Sequence, residues 1–178
     1  MASAHSQTIE NPLTGARIVF RETASSSHGE LLSMEFTLAA GGVIAEEHIH
    51  PVQRERFEII NGRVEGRVNG VAASVNAGES SEIEAGVPHA WWNAGDEELI
   101  MVVEFRPALR TEDFFRSVFQ LAADGHTNAR GIPRFWYMAL LLEQYHKEFR
   151  PARLSASTAR AFSRLAAPIA HRLRYSLP

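Results

Sequence analysis

Residues 41–64 read GGVIAEEHIHPVQRERFEIINGRV, and the way this stretch is punctuated decides the fold. Two short runs, VIAEEHIH and RFEII, are set between Gly41-Gly42, Pro51 and Asn61-Gly62, and neither is long enough to hold a helical period. Asn61-Gly62 between two such runs predicts a type I′ hairpin, because both central positions of that turn need φ > 0. The stretch therefore reads as two strands, and the question is how far the pattern extends.

It extends from Arg17 to Pro107. ARIVF, ELLSMEFTL, GRVEGRV, VAASV, SSEIE, HAWWN and ELIMVVEF are all β-type runs, parted by Asn69-Gly70, Gly78, Gly86-Val87-Pro88 and Gly95-Asp96. Many short strands joined by tight turns predict an all-β fold, an antiparallel barrel or jelly roll, rather than alternating strand and helix. After Pro107 the period changes. TEDFFRSVFQLAADG, IPRFWYMALLLEQYHKEFR and STARAFSRLAAPIAHRLR predict three helices, the last with Pro168 as a candidate point of interruption and an apolar stripe of Phe162, Leu165, Ile169 and Leu173. The expected organisation is an N-terminal arm (1–16), a β-barrel (17–107) and a helical C-terminal extension (108–178).

Within the opening stretch, His48 and His50 lie on one face of a strand. A turn at Pro51-Val52-Gln53 brings the chain back antiparallel, which puts Glu55 on the neighbouring strand facing the same way. His89, at the start of HAWWN, is the best fourth member; His5 and His28 sit in polar loops, and His126, His146 and His171 lie in or near the helical segment. Imidazole with carboxylate suits one divalent transition metal among Fe, Mn, Ni, Zn, Co and Cu. By the same alternation Glu46 faces inward as a second acid beside Glu55. Phe57, Ile59, Trp91, Met101 and Val103 then line an apolar pocket for a small molecule.

These residues resemble the cupin family. Gly42, His48-Ile49-His50, Glu55 and Gly62 match the first cupin motif at every fixed position, and Gly78 to Asn93 match the second except at Glu84, where the family usually has proline. The resemblance covers roughly residues 15 to 107. It implies a double-stranded β-helix holding one metal through His48, His50, Glu55 and His89, with open coordination positions for water, dioxygen or a chelating substrate. It also implies a homodimer.

Absences narrow the chemistry. The chain has no cysteine, so thiolate ligands, thiol nucleophiles and disulfides are excluded. Its only lysine, Lys147, and its tyrosines, Tyr137, Tyr145 and Tyr175, all follow Pro107, so the β region supplies no lysine or tyrosine base. Acid–base work falls to Glu55, to Glu46 or to a metal-bound hydroxide. That toolkit suits a dioxygenase-like oxidoreductase acting on a small chelating molecule; a decarboxylase or isomerase, or a non-catalytic binding module, uses the same parts.

Charge is unevenly placed. All 21 acidic residues fall within 1–148, whereas 149–178 hold six arginines and no acid. Without a dense basic cluster or interleaved aromatics, this end predicts docking on the acidic β region or at a dimer interface, not nucleic-acid binding. The N-terminus carries no apolar signal region, and the run Phe135–Leu142 is far short of the roughly 20 residues of a membrane span. A cytoplasmic location is the expectation.

Overall fold

The computed structural model describes residues 7–178 of the 178-residue chain; His5 lies outside the described residues. Eleven strands are arranged in two antiparallel sheets. The first holds β1 (Thr8–Glu10), β2 (Arg17–Glu22), β3 (Leu32–Leu38), β5 (Arg54–Asn61), β8 (Ser80–Ile83) and β10 (Leu99–Arg106), in the order β1-β2-β3-β10-β5-β8. The second holds β4 (Val43–Ile49), β6 (Arg63–Val68), β7 (Val71–Asn76), β9 (His89–Asn93) and β11 (Arg150–Pro151), in the order β11-β4-β9-β6-β7. Among the described residues no ladder joins the two sheets. The molecule is therefore a two-sheet sandwich of jelly-roll type, and the continuously hydrogen-bonded barrel expected from the sequence is not formed.

Register explains why the sheets hold together. β10 sets Met101 opposite both Phe36 of β3 and Ile59 of β5, and sets Val103 opposite both Met34 and Phe57. These inward rows meet Val64, Val75 and Trp91 from the second sheet in one buried cluster. Each such side chain contributes on the order of 1.5–3 kcal/mol by leaving water.

The two Asn-Gly pairs do different work. Asn69-Gly70, with φ of 50° and 79°, joins β6 to β7 with Val68 opposite Val71, a two-residue hairpin. Asn61-Gly62 does not form the hairpin expected of it, because β5 and β6 belong to different sheets. There Gly62, at φ 85°, turns the chain from one sheet to the other against the backbone of Leu99, and Asn61 Nδ2 donates to the Glu98 carbonyl at 2.7 Å. A dipeptide that favours φ > 0 specifies a turn but not which strand receives the chain.

Three helices follow: α1 (Thr111–Ala123), α2 (Phe135–Gln144) and α3 (Ala156–Arg172). Phe115, Val118 and Phe119 of α1 pack on the sandwich core, while Leu121 joins Tyr137, Leu141 and Tyr145 in a second cluster. Gln53, fully buried, donates through Nε2 to the Pro107 carbonyl at 2.7 Å and to Thr111 Oγ1 at 2.8 Å, fixing α1 to the β4–β5 connection.

α3 departs from expectation twice. It runs through Pro168 without interruption; Pro168 and Arg164 are exposed, so the carbonyl left without a partner meets water. Its apolar stripe is on the outside: Leu165, Ile169 and Leu173 are 73%, 49% and 54% exposed. The buried face is Ala159, Ser163, Ala166, Ala167 and Ala170, small residues that let α3 approach α2 closely. Among the described residues no helix is long and apolar enough to cross a membrane.

Candidate metal centre

His48, next to last in β4, pairs in register with His89 at the start of β9, so two imidazoles leave adjacent strands of the second sheet together. His50 follows β4 on the same side. Glu55 does not come from a neighbouring strand as the turn at Pro51 suggested. The Pro51–Gln53 connection crosses to the first sheet, and Glu55 reaches the imidazoles from β5, across the sandwich and in register with Phe105 of β10. One ligand-type atom from each of the four residues lies within 4.8 Å of all the others.

Each ring is aimed by its remote nitrogen. Nδ1 of His48 donates to the Glu46 carbonyl at 2.9 Å, Nδ1 of His50 to the Glu148 carbonyl at 2.6 Å, and Nδ1 of His89 to the Val87 carbonyl at 3.0 Å. Donation there places the proton on Nδ1 and turns the Nε2 lone pair inward in all three rings. Nε2 of His48 and His50 then stand 3.1 Å apart, Glu55 Oε2 is 3.6 Å from His50 Nε2, and Oε2 is 2.9 Å from His89 Nε2. The last contact is close but misaligned: both Glu55 Oε2 and His89 Nε2 are buried without hydrogen-bond geometry. Three lone pairs and a carboxylate facing one point fit a cation in both charge and donor type.

The electrostatics agree. Burial, and then the charges of neighbouring imidazoles, hold His48 at about 3, and burial lowers His50. Burial also opposes charge on His89, but the Glu55 carboxylate outweighs it and raises His89 above its usual value. For Glu55 burial opposes ionisation, and contact with His89 together with the other imidazoles overcomes it, bringing the carboxyl to about 2. Without metal, the cluster keeps Glu55 ionised and favours a proton on His89 more than an isolated imidazole would.

Glu46 is not part of this cluster. Its carboxylate is exposed and pairs with Arg153 at 2.5 Å and Arg130 at 4.0 Å. The strand alternation that placed it inward fails because the β4–β9 register shifts between Ala45 and His48. Phe57, Ile59, Trp91, Met101 and Val103, expected to line a pocket, are each at most 3% exposed and lie in the main apolar cluster. Phe57 and Trp91 meet edge to face at 5.0 Å, and Trp91 Nε1 is buried without a partner.

Sequence reading missed the cover. The segment after α2 returns to the second sheet as β11, pairing Arg150 with Ile49 and Pro151 with His48. The Phe149 ring stacks on His48 at 5.6 Å and on Phe114 of α1 at 5.1 Å, while Phe105 closes on His50 at 5.0 Å. His48, His50 and His89 are consequently 7%, 6% and 0% exposed. The available signal was charge: the acid-free C-terminal end meets the sandwich through Arg153 and Glu46.

Two antiparallel sheets thus carry, at one end, three histidines and a glutamate that could hold a metal ion. Residues 34–105 match the cupin domain family. No curated protein matches the chain. Among solved structures, one described as a predicted oxalate decarboxylase from Thermotoga maritima is 19% identical, covers 52% of this chain and 80% of its own, and has a TM-score of 0.49. An RmlC-like cupin from Shewanella frigidimarina is 21% identical over 62% and 93% of the two chains, with a TM-score of 0.49. KdgF from Halomonas sp. is 13% identical over 52% and 79%, with a TM-score of 0.45.

Proposed function

We propose that the protein is a metal-dependent cupin in which His48, His50, Glu55 and His89 hold one divalent transition metal, with a dioxygenase-type oxidation of a small chelating organic molecule as its activity. The observation that carries the metal is the set of inward Nε2 atoms. Two of them stand 3.1 Å apart with their protons committed on the far side of each ring, an arrangement that repels itself until a cation is shared. A metal of this class, when bound, supplies Lewis acidity and redox chemistry.

The chain's own residues supply the rest. Carbonyls of Glu46, Val87 and Glu148 orient the rings, Phe105 and Phe149 exclude water, and Glu55 is the one acid within reach to hold or move a proton. Trp91 Nε1 is an unpaired donor deeper in the apolar interior, available to a substrate oxygen if Phe57, Ile59, Met101 and Val103 yield.

A second reading has its own support. The Glu148–Pro151 segment lies over the histidines, so a substrate enters only when that segment moves, which favours a non-catalytic module that holds metal and a small ligand. A metal-dependent decarboxylase or isomerase is the remaining catalytic alternative. Metal analysis of protein purified without chelator, followed by oxygen uptake with enols, phenols and keto acids, separates these. Stoichiometric Fe, Mn, Ni or Cu with oxygen consumption supports oxidation; stoichiometric metal without turnover supports the module; no metal at all removes the proposal.

We also take the chain to work as a homodimer, supported by the exposed Leu165, Ile169 and Leu173 on α3. Light scattering at two protein concentrations decides this, a monomer mass at both being the contrary result.

A further inference from the structure

A second feature lies outside the sandwich, on the outer side of β4. Between His48 and His50 the side chain of Ile49 has the opposite orientation, away from the metal cluster, and there it forms one wall of a groove of about 390 Å³. Val52, Leu142 and Phe149 complete the apolar lining. Around it stand His146, Lys147, Arg150 and Arg160, and no aspartate or glutamate lines the groove. The volume is in the range of small-molecule sites, roughly 300–1,000 Å³.

The charges are available. Among the described residues, Lys147, Arg150 and Arg160 form no ion pair with a carboxylate. The Arg150 guanidinium rests on the Leu154 carbonyl and Arg160 Nε donates to the Ala156 carbonyl at 3.2 Å, so each retains free N–H donors. Among the described residues the Lys147 ammonium, on the chain's only lysine, has no hydrogen-bond or ion-pair partner. Surface cations elsewhere are commonly matched, as Arg153 is with Glu46 and Arg54 with Glu82. Cations left unmatched beside one apolar groove define a site that is apolar in its body and anion-seeking at its edge.

We propose that this groove binds a small organic anion, a carboxylate carrying an apolar tail, with Ile49, Val52, Leu142 and Phe149 around the tail and Lys147, Arg150 and Arg160 on the carboxylate. The site is separate from the metal cluster and does not depend on metal being bound. Phe149 belongs to both, lining the groove and stacking on His48, so an occupant braces the segment that covers the cluster.

The test is a nuclear magnetic resonance titration of the full chain with decanoate, with decanol as the uncharged match. Saturable shifts at Ile49, Val52, Leu142 and Phe149 are expected, with decanol binding about tenfold more weakly. The double variant Lys147→Glu/Arg160→Glu alters two exposed side chains and leaves the fold intact, which its spectrum verifies. It is expected to lose about tenfold or more in decanoate affinity, whereas the same charge change at Arg67 and Arg172, away from the groove, costs no more than about twofold. Equal binding of decanol, equal losses in both double variants, shifts located elsewhere, or self-association that hides the groove would each overturn the assignment.

Discussion

The Glu148 carbonyl accepts the Nδ1 proton of His50 at 2.6 Å, a contact that spans 98 positions of the chain and joins the helical extension to the candidate metal site. A ring of the second sheet is thus oriented by a residue from beyond the cupin domain match at 34–105. The extension is a structural part of the site rather than an appendage, and its next residue, Phe149, covers His48.

Phe149→Ala therefore changes access before it changes affinity. The ring is half-buried between His48 and Phe114, so its loss is expected to cost about 1–3 kcal/mol, below the roughly 3–5 kcal/mol of a fully buried phenylalanine. All four ligand side chains remain. Stripping of bound metal by chelator is expected to accelerate several-fold while equilibrium affinity changes much less; equal stripping rates in variant and parent contradict the role of the ring.

Metal is expected to stabilise the parent chain and not its ligand variants. At a free concentration about 100 times Kd, binding contributes about 2.7 kcal/mol. For a chain of this size each kcal/mol raises Tm by roughly 2–4 °C, so thermal melts should move by about 5–10 °C. His89→Ala and Glu55→Gln each remove an inward donor, and their melts are expected to move by under about 2 °C under the same conditions. A full shift in either variant places the ion elsewhere.

How much of this was legible in the sequence depended on the range of the interaction. His48 and His50 were readable as a pair because strand alternation is local, and His89 because it opens its own strand. The sheet that receives Glu55 was not readable, since Pro51 and Asn61-Gly62 mark reversals without naming the destination. Glu46 was misplaced because a register shift between Ala45 and His48 defeats counting by two. The cover at Glu148–Pro151 leaves no local trace, and its partners lie about 100 positions away.

Without metal, stability should fall as pH drops below about 6.5. In the unfolded chain His48, His50 and His89 each bind a proton near their usual value, whereas in the native chain burial lowers His48 to about 3 and lowers His50 as well. His89 acts in the opposite sense: raised by Glu55, it favours the native state at low pH and loses that contribution as pH rises through its folded value. Between its unfolded and folded values His48 alone leaves the unfolded state binding about one more proton than the native state, and His50, also lowered, adds in the same direction. The slope from His48 alone then approaches about 1.4 kcal/mol per pH unit. Below about 4.5 the ionised Glu55, held at about 2, adds to the loss. Urea unfolding in chelator at pH 7.5, 6 and 5 checks this, and constant stability across the series contradicts it.

On α3 the faces of the helix make opposite demands. Leu165 is 73% exposed, so Leu165→Ala in the monomeric chain is expected to change stability by no more than about 0.5 kcal/mol. Ala167 and Ala170 are fully buried against Leu140, with Trp136, Tyr175 and Leu177 packed around them. Ala167→Leu forces a larger side chain between two helices already in contact and is expected to cost about 1–3 kcal/mol. Hydrophobicity alone assigns the faces the other way, because alanine scores low while permitting the closest approach. Denaturant midpoints of the two variants decide it, and a larger loss from Leu165→Ala than from Ala167→Leu would mean that α3 packs through its leucine face.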